Sequence, residues 1–234
     1  AGGVSLMALS LAACGGSSTT TTTPVVDTPV VDTPVVDTPV VVTPAVNTIT
    51  KALLDLKSGD TLAGTSGEDI LNVEINANLG ATTAISGIET VNVTSYGATT
   101  VNFTKITDVT KFVTTDSTGA VTLASVADAT MTLGFAGTGT NSITAGYKAG
   151  TLDGAADVVN VDLSGASAVT LVVDAGFEDI SINTGTGAGD ASAMAKSDID
   201  TLTVPGVTKM TITGEGPLDL ANAAVSGVTS INAS

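Results

Sequence analysis

The sequence predicts an all-β protein, a parallel β-solenoid (β-helix or β-roll) with coils of about 21 residues, held behind a disordered Thr/Pro-rich stalk. Three observations predict it. The chain is rich in Val, Ile and Thr, the β-branched residues that favour strands, and is punctuated by 26 glycines. An apolar-x-x-apolar-x-apolar unit returns along most of its length. Five of its seven prolines fall in one low-complexity segment that ends where those units begin.

The composition bounds the rest. At 43% hydrophobic the chain can bury a sizeable core, so it is not a disordered composition overall. Its formal net charge is −16, with seven Lys, no Arg and no His. No basic patch can be assembled from seven scattered Lys, so nucleic acid is excluded as a partner. One Cys excludes an internal disulfide framework.

Residues 1–13 read as a truncated signal peptide. Val4 to Ala13 is apolar but too short to span a bilayer as a helix, and it ends in Leu11-Ala12-Ala13-Cys14. That ending resembles a bacterial lipoprotein lipobox. The resemblance implies cleavage before Cys14, lipidation of Cys14, membrane attachment through the N-terminal lipid, and an address at the bacterial outer membrane and cell surface. An ordinary secretory signal ending beside an unrelated Cys is the alternative.

Residues 14–47 are the stalk. A Thr run, Thr19 to Thr23, leads into Thr-Pro-Val-Val-Asp with prolines at Pro24, Pro29, Pro34, Pro39 and Pro44. Each Pro removes a backbone donor and biases the residue before it to an extended state, which blocks helix and sheet ladders alike. At about 3.1 Å per residue, about thirty residues reach at most about 100 Å.

Residues 48–234 form the repeat domain. The first unit occurs as Ile88-x-x-Val91-x-Val93, Val109-x-x-Phe112 and Val126-x-x-Ala129-x-Met131. It returns as Ala156-x-x-Val159-x-Val161, Phe177-x-x-Ile180-x-Ile182, Ile199-x-x-Leu202-x-Val204, Val207-x-x-Met210-x-Ile212 and Val228-x-x-Ile231-x-Ala233. The long gap from Val126 to Ala156 implies a degenerate rung near Ile143 or an insertion, and the step from Ile199 to Val207 is short. A second unit follows a Gly: Gly97 to Phe103, Gly119 to Leu123, Gly165 to Leu171 and, loosely, Gly216 to Leu220. Both alternate with the period of a strand, so a rung has two short strands, a Gly turn and a looser return. One rung cannot bury its inner face alone, whereas stacked rungs bury a continuous core. A unit opening at Val228, just before Ser234, is read as truncation of the domain, with further repeats expected beyond it. Leucine-rich repeats share the spacing but continue with a buried Asn or Cys, where this chain has Tyr96, Gly185 and Val207. A Greek-key sandwich is the other alternative.

Asp60 and Asp69 are nine residues apart, as are Leu62 and Leu71, within a run holding Gly59, Gly64 and Gly67. This resembles the nonapeptide of RTX calcium-binding β-rolls, with Ser58 and Thr65 standing where that pattern has Gly. The resemblance implies calcium as cofactor, Asp60 and Asp69 as carboxylate ligands, and Gly64 and Gly67 shaping the turn. Asp oxygens and turn carbonyls suit a hard cation. Asp153, Asp157 and Asp190, near Gly154 and Gly189, are weaker candidates.

Gly64-Thr65-Ser66-Gly67-Glu68-Asp69, Ile85 to Thr94 and Val228 to Ala233 are similar to the repeat regions of Gram-negative S-layer and related surface proteins. That likeness implies a calcium-stabilised β-solenoid in a surface layer or adhesive structure, although a lipobox and stalk are not typical of the secreted S-layer proteins; the chain is read as a non-enzymatic structural or adhesive lipoprotein, with self-association or surface glycans as partners. A carbohydrate- or host-binding module is the alternative, with Tyr96 and Tyr147 as the aromatics expected on the surface and Phe103, Phe112 and Phe177 expected inside. A β-helix enzyme acting on polysaccharide comes third. The chain has no His for a nucleophile–base pair and no Arg base, and the adjacent Glu178 and Asp179 must face opposite sides of a strand.

Overall fold

The computed structural model describes residues 46–185, 195–220, 223 and 227–233. Cys14, the stalk through residue 45, and Asp190 lie outside the described residues. The strands run, in order, β1 (Val46–Lys51), β2 (Thr61–Ala63), β3 (Glu68–Ile75), β4 (Ala84–Ser86), β5 (Thr90–Ser95) and β6 (Thr99–Asn102). They continue as β7 (Lys111–Thr115), β8 (Val121–Val126), β9 (Thr132–Ala136), β10 (Ser142–Tyr147), β11 (Val158–Ser164) and β12 (Val169–Val173). The last are β13 (Asp179–Asn183), β14 (Ser197–Thr203), β15 (Lys209–Thr213), β16 (Leu218–Asp219) and β17 (Ser230–Ala233). The only helix among the described residues is a single 3₁₀ turn, Phe103–Lys105.

Every strand pairing among the described residues is parallel. The odd-numbered strands make a nine-stranded sheet in chain order, and β6, β8, β10, β12, β14 and β16 make a second, six-stranded sheet. β2 pairs with β4 as a short third side, which an isolated bridge from Ile85 to Ile106 carries one coil further. The chain is thus a parallel β-solenoid of about eight turns. Parallel pairing excludes the Greek-key alternative, and strand returns in place of helices exclude the leucine-rich one.

The core is a set of columns running along the axis. Ile49, Leu71, Val91, Phe112, Leu133, Val161, Ile182, Ile212 and Ala233 are register partners, one per strand of the long sheet. Across the core, Thr99, Val121, Ile143, Leu171 and Leu202 form a column of the second sheet. Period-two alternation makes this possible: β5, Thr-Val-Asn-Val-Thr-Ser, buries every second residue. Each fully buried Val, Leu or Ile contributes about 1.5–3 kcal/mol. Strands about 4.8 Å apart over eight steps give a stack about 38 Å long.

The registers correct two readings of the repeat and decide a third in favour of the insertion. The coil after Phe112 enters the long sheet at Leu133, so the unit beginning at Val126 is not a coil start. From Leu133 to Val161 the coil is 28 residues, because Lys148 to Asp157 is an insertion; Ile143 belongs to the second sheet and marks no extra rung. Ile199 and Leu202 also belong to the second sheet, so the short step from Ile199 to Val207 is the passage between two sides of one coil. The first described residue, Val46, already lies in β1, two residues inside the expected stalk.

Candidate functional site

The Gly64–Asp69 turn is built by close backbone approach. A side chain on Gly64 would place its Cβ 1.7 Å from the carbonyl oxygen of Gly87 and 2.8 Å from an Asp69 carboxylate oxygen, so only Gly fits. Gly67 has φ of 127°, a conformation that side chains disfavour. The turn wraps the buried carboxylate of Asp69, which accepts from Asn47 Nδ2 at 2.8 Å, from the Thr65 amide at 2.8 Å and from Thr65 Oγ1 at 3.2 Å. The Asn47 bond, then the Thr65 amide, hold its pKa below the usual carboxylate value.

Asp60 is placed elsewhere. It precedes β2 on the short side of the coil, and its carboxylate accepts from the Lys57 amide at 2.8 Å. Leu62 pairs with Ile85, whereas Leu71 pairs with Val91, so the two nine-spaced positions lie on different sheets. Their counterparts one coil on are Thr83 and Glu89, not a second pair of Asp. The Asp69 lone pairs are already directed at N–H and O–H donors, and one Asp60 oxygen accepts from the Lys57 amide. Among the described residues no three acid side chains converge on a common point. The structure thus places Asp60 and Asp69 on different sides of the coil, with the Asp69 carboxylate closing its own turn.

Asp157 repeats the turn-closing pattern, accepting from the Gly154 amide at 3.0 Å, while Asp153 is exposed in the inserted loop. The Glu178 carboxylate accepts from the Asp157 amide at 2.8 Å, and Asp179 faces outward to Lys209 Nζ at 3.3 Å. The two acids therefore diverge, as alternation requires.

Other polar side chains act between coils. Ser117 Oγ accepts from the Ser95 amide at 2.9 Å, and Asn141 Oδ1 accepts from the Ser117 amide at 3.3 Å, a buried ladder inside the turn. Asp108, at φ of 69°, accepts from the Gly87 amide at 2.9 Å, and Asp116, at φ of 47°, from the Thr138 amide at 2.9 Å. Asp tolerates this left-handed backbone, and there its short carboxylate reaches the neighbouring coil. Lys111 pairs with Asp162 two strands away, across Gly134. A Cβ on Gly134 would lie 2.7 Å from Val113 Cγ2, so this outward position is kept bare by the packing of Val113.

Phe103, Phe112 and Phe177 are buried as expected. Tyr147 is only half-exposed: its ring packs edge-on against Phe177 at 5.1 Å, and its phenol, shielded from water, has a pKa raised by that burial. Tyr96 is the exposed aromatic, at 49%. It flanks a feature that the repeat pattern alone does not reveal, a groove of about 370 Å³ on the outer face of β1, β3, β5 and β7, whose lining mixes Asn, Thr, Glu and Lys heads with apolar stems. Comparison with protein-family models, with curated proteins and with solved structures found no match for the chain.

Proposed function

We propose that this protein is a non-catalytic structural element of a bacterial cell surface, a stiff solenoid held away from the outer membrane by the 14–47 stalk and anchored through lipid on Cys14. The column from Ile49 to Ala233 supports the structural half of this reading, because it passes through nine strands without a break in register. A stack whose every coil is buried by its neighbours resists bending and presents the same outer face at a fixed pitch, which suits a spacer or scaffold. The anchoring half rests on Leu11-Ala12-Ala13-Cys14 and its resemblance to a lipobox. The acidic surface keeps such a rod soluble and repels other acidic chains. Calcium is not part of the proposal at Asp60 and Asp69, whose oxygens close turns.

The test is metabolic labelling of the full natural chain in a Gram-negative host with an alkyne fatty acid, followed by fractionation. Label in the outer-membrane fraction that disappears in C14S is expected. Label retained in C14S, or an unlabelled chain in the cytoplasm, overturns the anchoring. A second reading, a glycan-binding module on the same stalk, is favoured by the groove beside Tyr96.

A further inference from the structure

We propose that the groove on the outer face of β1, β3, β5 and β7 binds a linear, neutral, β-1,4-linked glycan lying along the solenoid axis. The groove lies at one end of the long sheet and holds about 370 Å³, within the range of ligand sites. Asn72 and Asn92 come to it from one outward column, Glu74, Thr94 and Thr115 line it beside them, and Lys51 closes its end.

The chemistry of this lining selects the ligand. Asn92 Nδ2 donates to Asn72 Oδ1 at 2.8 Å, which fixes both amide planes while using one donor of one and one lone pair of the other. The remaining amide groups and the Thr hydroxyls offer donors and acceptors together, the complement of a sugar hydroxyl. Glu74 is held in place by the Leu53 amide at 3.2 Å and the Tyr96 phenol at 3.3 Å. One cation and one carboxylate leave the groove without net charge, and a chain of net charge −16 repels acidic polysaccharides at longer range. A neutral ligand is therefore preferred.

Geometry adds direction. Equivalent side chains recur every coil, about 4.8 Å along the axis, close to the advance of one sugar in an extended β-1,4 chain. Four coils would then meet successive sugars. The exposed ring of Tyr96, tethered through Glu74 to the groove wall, supplies an apolar face for a sugar's C–H face.

Titration calorimetry on the full natural chain tests this, with cellohexaose and chitohexaose as neutral probes and an oligogalacturonate as the acidic one. At least one neutral probe should bind. Tyr96→Ala should weaken it at least tenfold, and Ser181→Ala, on the same outer face several coils away, should leave it unchanged. Circular dichroism melting checks that each variant is folded. Asn92→Ala gives a second reading of the lining and should also weaken binding. Failure of both neutral probes, equal binding of the acidic one, or binding by Tyr96→Ala within twofold of wild type overturns the site. Lipid labelling at Cys14 is read separately, so the loss of either proposal leaves the other standing.

Discussion

The backbone amide of Asp69 donates to the carboxylate of Glu89 at 2.7 Å, one coil further on. Asp157 and Glu178 repeat the relationship at 2.8 Å near the other end of the solenoid. In both places the Glu stands just before a strand of the long sheet, its carboxylate takes the amide of the Asp one coil back, and its own amide donates to that Asp's carbonyl, at 3.2 Å for Glu89 and 3.0 Å for Glu178. The Glu backbone then accepts from the coil beyond: Thr110 donates to Glu89 O at 2.9 Å, and Thr208 donates to Glu178 O at 2.9 Å. A side chain thus starts a ladder that the backbone continues.

Glu89→Ala should therefore destabilise the fold by about 1–3 kcal/mol, since it orphans an amide of a buried residue. The variant also removes a like charge from beside Asp69, which offsets part of the loss and favours the lower end of that range. Glu89→Gln keeps an acceptor and should cost about 1 kcal/mol or less. Urea unfolding measures both. A midpoint for Glu89→Ala equal to wild type would show that water serves the Asp69 amide equally well.

Acid should weaken the N-terminal coils in a way that Asp69 reports. Its folded pKa lies below the ordinary value of 3.8, chiefly because of Asn47, and that of Asp108 is lowered chiefly by the Gly87 amide. A depressed carboxylate contributes stability that is fully present above its unfolded pKa and lost as pH falls through the folded one. Melting temperature should thus fall below about pH 4. The gap between wild type and Asp69→Asn should be constant at neutral pH and shrink toward pH 3. A gap that stays constant down to pH 2 would remove Asp69 from the acid transition.

Much of the fold is legible in the sequence, because inward columns are made by residues whose alternation is local. Val91 and Val93, or Ile180 and Ile182, announce their faces without any partner. What alternation does not reveal is which sheet a strand joins. Ile199-x-x-Leu202-x-Val204 matches the long-sheet unit residue for residue, yet lies on the opposite side of the core. Local sequence cannot distinguish the two, since both sheets bury the same kind of side chain against each other. The candidate site was less legible for a related reason. Asp60, Gly64, Gly67 and Asp69 are visible as a turn, but the group that occupies Asp69 is Asn47, 22 residues earlier. Only coil stacking brings it there.

Calcium gives a direct check of that difference. With the Asp69 carboxylate engaged by Asn47 and Thr65, and Asp60 alone on its side of the coil with one oxygen taken by the Lys57 amide, added calcium should find no paired carboxylates here. The change in melting temperature between chelator and millimolar calcium should be the same in wild type and in Asp60→Asn. A calcium-dependent rise in wild type that vanishes in Asp60→Asn would restore Asp60 as a ligand and require Asp69 to exchange its partners.

Two glycines at equivalent turns of adjacent coils should respond oppositely to the same methyl group. On Gly119 a Cβ would lie 2.1 Å from the carbonyl oxygen of Gly97 and 2.2 Å from its carbonyl carbon, so the two coils would have to part. On Gly97 a Cβ would meet nothing within 4 Å. Backbone displacement against a packed core costs about 1–3 kcal/mol or more, so Gly119→Ala should lose at least about 2 kcal/mol. Gly97→Ala removes chain entropy from the unfolded state without strain and should be neutral or stabilise by up to about 1 kcal/mol. Denaturant midpoints compare the two. Because stacking gives each turn a tight side and an open side, the sign depends on which side the methyl enters. Equal losses in both variants would mean that the coils are not held at this spacing by their turns.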